Sequence, residues 1–254
     1  MRQRQLSEEP FEWWGPVWAT PVRRSLAELV AHGVLTAEVA ALLAELVTQR
    51  ASIVIAADPS GAGKTTLLTA LLDYLPPESR RIYVRGCFES FDFLHSAAPG
   101  ETALLVNEIS GHLPAYLWGP GVRRVFDAAR GGYQLAATAH ARSVEDFVHG
   151  LASYPLHVRI EELQAVDLLV LLDAWTEAGE VRRVVRSVVS LSAPAAPGRI
   201  APVALATWDE QAGSFTVSYD AARMLYANLG GDAKQLFPLV KRRASDLRAM
   251  QIPS

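Results

Sequence analysis

Asp58, Pro59, Ser60, Gly61, Ala62, Gly63, Lys64, Thr65 and Thr66 form the stretch of this 254-residue sequence most suited to chemistry. The run nearly matches the phosphate-loop pattern G-x-x-x-x-G-K-[ST], with Asp58 in place of the first glycine. Gly61 and Gly63 let the backbone curl so that successive N–H groups point inward at phosphate oxygens. The helix expected to follow offers its positive N-terminal end to the same anion. Lys64 has the reach to meet the β and γ phosphates, and the Thr65 hydroxyl suits Mg²⁺. Asp is among the residues that tolerate a left-handed backbone, so the turn can survive without the first glycine. The chemistry is Mg²⁺-nucleotide binding, with ATP as the nucleotide.

Two further residues qualify by position. Thr102 to Glu108 (TALLVNE) reads as a buried strand ending in an acid, where a phosphate-loop enzyme places the group that holds the Mg²⁺ shell or orients water. Glu108 is therefore both a catalytic and a metal-site candidate, beside Thr65. The strand 134–140 (QLAATAH) ends in His140, which is suited to donating a hydrogen bond to a γ-phosphate or, equally, to local backbone contacts.

The elements that must position these groups are legible as periodicity. Residues 52–57 (SIVIAA) form a continuous apolar run, as expected for a strand buried on both faces, and TTLLTALLDYL reads as a helix that Pro76 and Pro77 end. Further strands are expected at 81–86, 102–108, 134–140 and 165–175, with helical stretches between several of them. Strands alternating with helices imply an α/β fold with a mainly parallel sheet covered on both faces. Before the phosphate loop, residues 25–49 repeat apolar residues at helical spacing, and Thr36 supplies a start signal for a second helix. Residues 181–191 (VRRVVRSVVSL) read as an Arg-lined strand on the sheet edge. The stretch 192–202 reads as a linker, 203–217 as a hairpin, and the tail as two short basic helices. The expected division is 1–50 (an aromatic arm and helices), 51–192 (nucleotide-binding core) and 193–254 (linker, hairpin and helices). Trp13, Trp14 and Trp18 lie in the arm, where they suit packing onto the domain or a contact with another subunit or a membrane surface.

Composition narrows the class. Half the residues are apolar and a fifth are charged, with 24 basic against 27 acidic and a net charge of −3. A chain whose main partner is a nucleic-acid backbone usually carries a basic excess, so no nucleic acid is expected. Of the basic residues only Lys64, Lys234 and Lys241 are lysines, which sets Lys64 apart. A single cysteine, Cys87, excludes an internal disulfide and suits a reducing compartment. No apolar run reaches the roughly 18 residues of a membrane span, and no signal-peptide pattern opens the chain, so a cytoplasmic location is expected.

Four features in order resemble the RecA-like motor ATPases of bacterial and archaeal secretion and type IV pilus systems. They are the phosphate loop with TTLL, a strand ending in Asn-Glu, a strand ending in Thr-x-His-Ala, and a helix opening with Ser-x-x-Asp. The resemblance spans about residues 33–250. It implies that residues 58–66 are the Walker A loop and that Glu108 is the acid of an atypical Walker B. It also implies that Thr138, His140 and Ala141 form the His box, followed by Ser143 and Asp146. Trp208 to Phe215, with a helix ending in Arg-Arg, resembles the tail of archaeal-type members. The resemblance further implies a homo-oligomer, such as a hexameric ring, and a membrane platform protein as partner, with the chain at most peripheral to the inner membrane face. Three departures accompany it. Arg85 and Gly86 stand where the family's acidic pair, the Asp box, ends a strand, leaving Glu89 or Asp92 as substitutes only if the loop bends back. Residues 86–103 contain no arginine to serve as a finger, and Asn107 replaces the Walker B glycine. Hydrolysis in isolation is accordingly expected to be weak.

Four readings compete at this level. The first is an ATP-hydrolysing motor subunit, and the second is a nucleotide-binding adaptor or regulator that has lost turnover. A small-molecule kinase would draw on Arg123, Arg124 and Arg130 as an acceptor-binding cluster. A nucleic-acid translocase would draw on Arg182, Arg183 and Arg186.

Overall fold

The four residues of β1 (Ile53–Ala56) are buried on both faces because the strand lies mid-sheet, hydrogen-bonded in parallel to a neighbour on each side. In the computed structural model, which describes residues 23–250 except 59, 60, 114, 194, 195 and 197, the strands are β1, β2 (Arg80–Val84), β3 (Thr102–Ile109), β4 (Gln134–Ala139), β5 (Leu168–Glu177), β6 (Glu180–Ser190), β7 (Val203–Asp209) and β8 (Ser214–Val217). They form one sheet in the order β2-β3-β4-β1-β5-β6-β7-β8, parallel from β2 to β5 and antiparallel beyond. The expected α/β architecture is the one observed. The aromatic arm with Trp13, Trp14 and Trp18, and the loop residues Pro59 and Ser60, lie outside the described residues.

Strand parity divides the core. Ile53, Ile55, Leu105 and Val170 face one layer, formed by α1 (Leu26–Ala31), α2 (Ala37–Thr48), α3 (Lys64–Leu71), α7 (Tyr219–Asn228) and α8 (Ala233–Ala249). Val54, Ala56, Val106 and Leu169 face the other, formed by α4 (Pro120–Arg130), α5 (Val144–Ala152) and α6 (Ile160–Leu163). A two-residue period with both faces apolar requires this sandwich, since each face buries its own side chains. Helix α2 is covered nearly all round: ten of its twelve residues are buried, and α8 crosses it. The Thr36 hydroxyl caps it by accepting from the Val39 amide.

Two expectations need correction. Strand β6 is not the sheet edge: residues 187–190 pair with β7, and β2 and β8 close the sheet. Only the Arg-bearing half of β6 lacks a second neighbour. There β5 and β6 run on as a two-stranded extension, turned at Ala178 (φ 50°) and Gly179 (φ 86°) between paired Glu177 and Glu180. Positive φ at both central residues gives the turn the twist of the flanking strands. The second correction concerns the tail, whose last helix, α8, is not short: it runs 17 residues and docks on α2.

Candidate functional site

Strands β3, β4 and β1 are adjacent and parallel, so their C-terminal ends meet at one edge of the sheet, the usual place for a ligand in such folds. Glu108, His140 and the phosphate loop emerge there. Gly61 (φ 78°) and Gly63 (φ 96°) take the left-handed backbone that reverses the chain into α3. Asp58 is not among the described residues with positive φ, so no glycine-like conformation is asked of it. Gly63 caps α3 without a side chain, which leaves the first-turn amides to an external acceptor. Ala62 is buried beneath the loop, and Thr65 and Thr66 are half-buried in the first turn of α3.

Lys64 is the first residue of α3 and only 7% exposed. Its Nζ lies 3.9 Å from Glu108 Oε2 and 3.5 Å from His140 Nδ1, while His140 Nε2 lies 2.5 Å from Glu108 Oε1. An ammonium only donates and a carboxylate only accepts. The tautomer with the proton on Nε2 therefore satisfies both contacts, with Nδ1 accepting from Lys64 and Nε2–H donating to Glu108. Burial pushes the Lys64 pKa below the usual lysine value, opposed by the carboxylates of Glu108 and Asp58. Burial and the same Glu108 carboxylate push the Tyr116 phenol up. A buried cation poised over uncapped helix amides suits a phosphate group, and the hydroxyl and carboxylate of Thr65 and Glu108 suit the oxygen preference of Mg²⁺.

The aim of Glu108 comes from a β-bulge. Val106 pairs with Ala137 and Ile109 with Ala139, so β3 carries one residue more than β4 across this step. Val106 and Ile109 consequently face the same layer despite their odd spacing. The buried Thr138 hydroxyl donates to the Asn107 carbonyl at 2.5 Å, which fixes the bulge against β4. Bulges beside active sites re-aim side chains in this manner. Downstream, the Ser143 hydroxyl accepts from the Asp146 amide and starts α5.

Asp58 sits 3.8 Å from Arg142 Nε, so the carboxylate replacing the first loop glycine has a cation beside it. Arg183, on the half of β6 that pairs with β5 alone, donates from Nε to the Gly61 carbonyl at 2.8 Å. Its neighbours Arg182 and Arg186 pair with Glu177 and Asp173 on β5, which neutralises the patch that suggested a nucleic-acid surface. Two of the three arginines considered for a kinase, Arg123 and Arg124, are also engaged. Arg123 pairs with buried Glu162, and Arg124 reaches the Ser90 carbonyl and covers the Phe91 ring. Glu89 holds its own loop, accepting from the Arg85 and Phe91 amides at 2.9 and 3.1 Å, and Asp92 accepts from Ser90. Sequence pattern places Arg183 in a nucleic-acid patch rather than at the loop, and it does not single out His112, whose ring lies 5.2 Å from that of His140. A histidine four residues after a strand-end acid was the available signal for His112. Arg183 left no local signal, since sheet pairing alone brings it to the loop.

No protein-family model matches the chain. Over 69 residues it is 39% identical to proteins named as conjugal transfer proteins in two Mycobacterium tuberculosis strains, CDC 1551 and H37Rv. That segment is 27% of this chain and 19% of each relative. It is 31% identical to hydrogenobyrinate a,c-diamide synthase of Streptomyces coelicolor, over 42% of this chain and 29% of that enzyme. The chain thus matches less than a third of the length of these relatives. Among solved structures, the Legionella pneumophila ATPase DotB superposes with a TM-score of 0.38 and 14% identity, covering 88% of this chain and 58% of DotB. No described helix is long and apolar enough to cross a membrane.

Proposed function

We propose that the chain binds Mg²⁺-ATP through residues 58–66 and hydrolyses it slowly as a motor subunit of a secretion or pilus-like system. The observation that carries this reading is the contact of Lys64, His140 and Glu108 at the mouth of a two-glycine loop. Lys64 neutralises phosphate charge once it turns from Glu108 toward a bound nucleotide. That turn frees Glu108 Oε2 to hold Mg²⁺ with Thr65 or to orient water, and the His140 Nε2–H donates to the γ-phosphate once Glu108 Oε1 moves off it. Mg²⁺ held by Thr65 and Glu108 would supply neutralisation of phosphate charge.

The system assignment rests on the motif resemblance and on the partial match to conjugal transfer proteins. From it follow self-association and a membrane platform protein as partner, and the division at 50 and 192 remains our working boundary for the nucleotide-binding core. Slow turnover follows from the commitments of neighbouring groups: Glu89 is taken up by loop amides, and Arg123 by Glu162. An arginine finger is worth on the order of 10³ to 10⁵ in rate, so a site that lacks one keeps a barrier higher by several kcal/mol. A coupled-enzyme assay tests the reading. Measurable release of phosphate that Glu108→Gln abolishes supports the motor. Zero turnover with ATP binding intact favours the adaptor or regulator reading, which the same commitments would also suit.

A further inference from the structure

Glu108, His112 and His140 each offer one ligand atom, and these three atoms lie within 4.8 Å of one another. The groups come from two strand ends and one loop, and the loop is pinned on both sides. The Ser110 amide donates to the Leu117 carbonyl, and the Leu117 amide donates to the Glu108 carbonyl, at 3.1 and 2.8 Å. The Ser110 hydroxyl accepts from the His112 amide at 3.2 Å, and the Trp118 ring lies against Gly111, so His112 stands on a fixed base. Its side chain is exposed and able to swing toward the pair formed by Glu108 and His140.

We propose that these three residues form a site for a divalent transition metal of the zinc class, distinct in chemistry from Mg²⁺. Two imidazoles and a carboxylate with one open position match three-ligand zinc sites, whereas Mg²⁺ demands an octahedron of oxygens. Bonds of about 2.0–2.1 Å to zinc place tetrahedral ligand atoms roughly 3.3 Å apart, a spacing that small side-chain rotations reach here. The hydrogen bond between His140 Nε2 and Glu108 Oε1 opens and Lys64 turns away from Nδ1; His140 changes tautomer through water, Nδ1 gaining a proton as Nε2 loses one, and the neutral Nε2, the Glu108 carboxylate and a His112 nitrogen then bond to the metal. A metal so held takes Glu108 and His140 out of the roles proposed for them with ATP, and so switches hydrolysis off. That regulatory consequence rests on the proposed function, while the metal site itself does not.

The test is therefore run without nucleotide. Zn²⁺ is titrated into the full chain by calorimetry in excess Mg²⁺, and Co²⁺ is added as a spectroscopic probe. The expected result is one Zn²⁺ per chain and visible Co²⁺ bands of a four-coordinate site. His112→Ala, at an exposed position outside the proposed nucleotide machinery, is expected to weaken Zn²⁺ binding by about tenfold or more and to lose the bands. His149→Ala, at another exposed histidine, is expected to change neither, and circular dichroism checks that both variants fold. Equal Zn²⁺ affinity in wild type and His112→Ala, or Co²⁺ bands that survive the substitution, overturns the proposal.

Discussion

Lys64 illustrates how a residue can be read from its type while its surroundings cannot. A lone lysine after two glycines announced phosphate chemistry, but its contacts with His140 and Glu108 depend on three strands converging. Arg183 adds a group that pattern reading assigned elsewhere. Because it holds the Gly61 carbonyl from an exposed side chain, Arg183→Ala is expected to weaken ATP binding about fivefold, the share of a hydrogen bond worth about 1 kcal/mol. Calorimetry showing unchanged affinity would remove Arg183 from the loop's support. Asp167 gives a second residue-level expectation, at the opposite end of the sheet. Burial pushes its carboxyl from 3.8 up to about 6, opposed by hydrogen bonds from the Ser52 amide and the Ser192 hydroxyl. The folded state thus holds this proton more tightly than the unfolded state. Stability falls as pH rises from the unfolded value through about 6, by an amount of order 2 to 3 kcal/mol. Asp167→Asn is expected to remove that slope, read by urea unfolding at about pH 4.5 and about pH 7.5. An unchanged slope in the variant would mean another group carries it.

At the scale of elements, α8 shows how far the tail is integrated. Its Arg243 Nε lies 2.6 Å from the buried Glu45 carboxylate on α2, and its guanidinium covers the Tyr74 ring at 4.9 Å. Removing one member leaves a buried charge without its ion-pair partner. Arg243→Ala is therefore expected to cost about 3 kcal/mol, whereas joint replacement of Glu45 and Arg243 by Leu costs less. Denaturant midpoints of the two variants decide this, and a double variant worse than the single one contradicts it. The strands were legible where burial is continuous, as in β1 and β4, and the Thr36 and Ser143 caps were legible from type and spacing. The bulge in β3 was not, because all eight of its residues are buried and no break in the pattern marks the extra one. Nor was the true edge of the sheet, since the alternation along β6 is the same whether β7 pairs with it or not.

For the whole molecule, the expected state is an assembly whose nucleotide site is complete in its binding groups and poor in groups that speed turnover. Self-association promoted by a non-hydrolysable ATP analogue is expected by light scattering, and a strictly monomeric chain at high concentration counts against the motor reading. Turnover by the purified chain on the order of ten per second or faster would show that another acid or arginine of the chain completes the site. The loop 58–66 is expected to hold a nucleotide through Lys64, and calorimetric titration of Mg²⁺-ATP into wild type and Lys64→Ala measures this. Saturable binding by wild type that Lys64→Ala abolishes, with Glu108→Gln retaining it, is the expected result. Equal ATP affinity in wild type and Lys64→Ala would contradict the account.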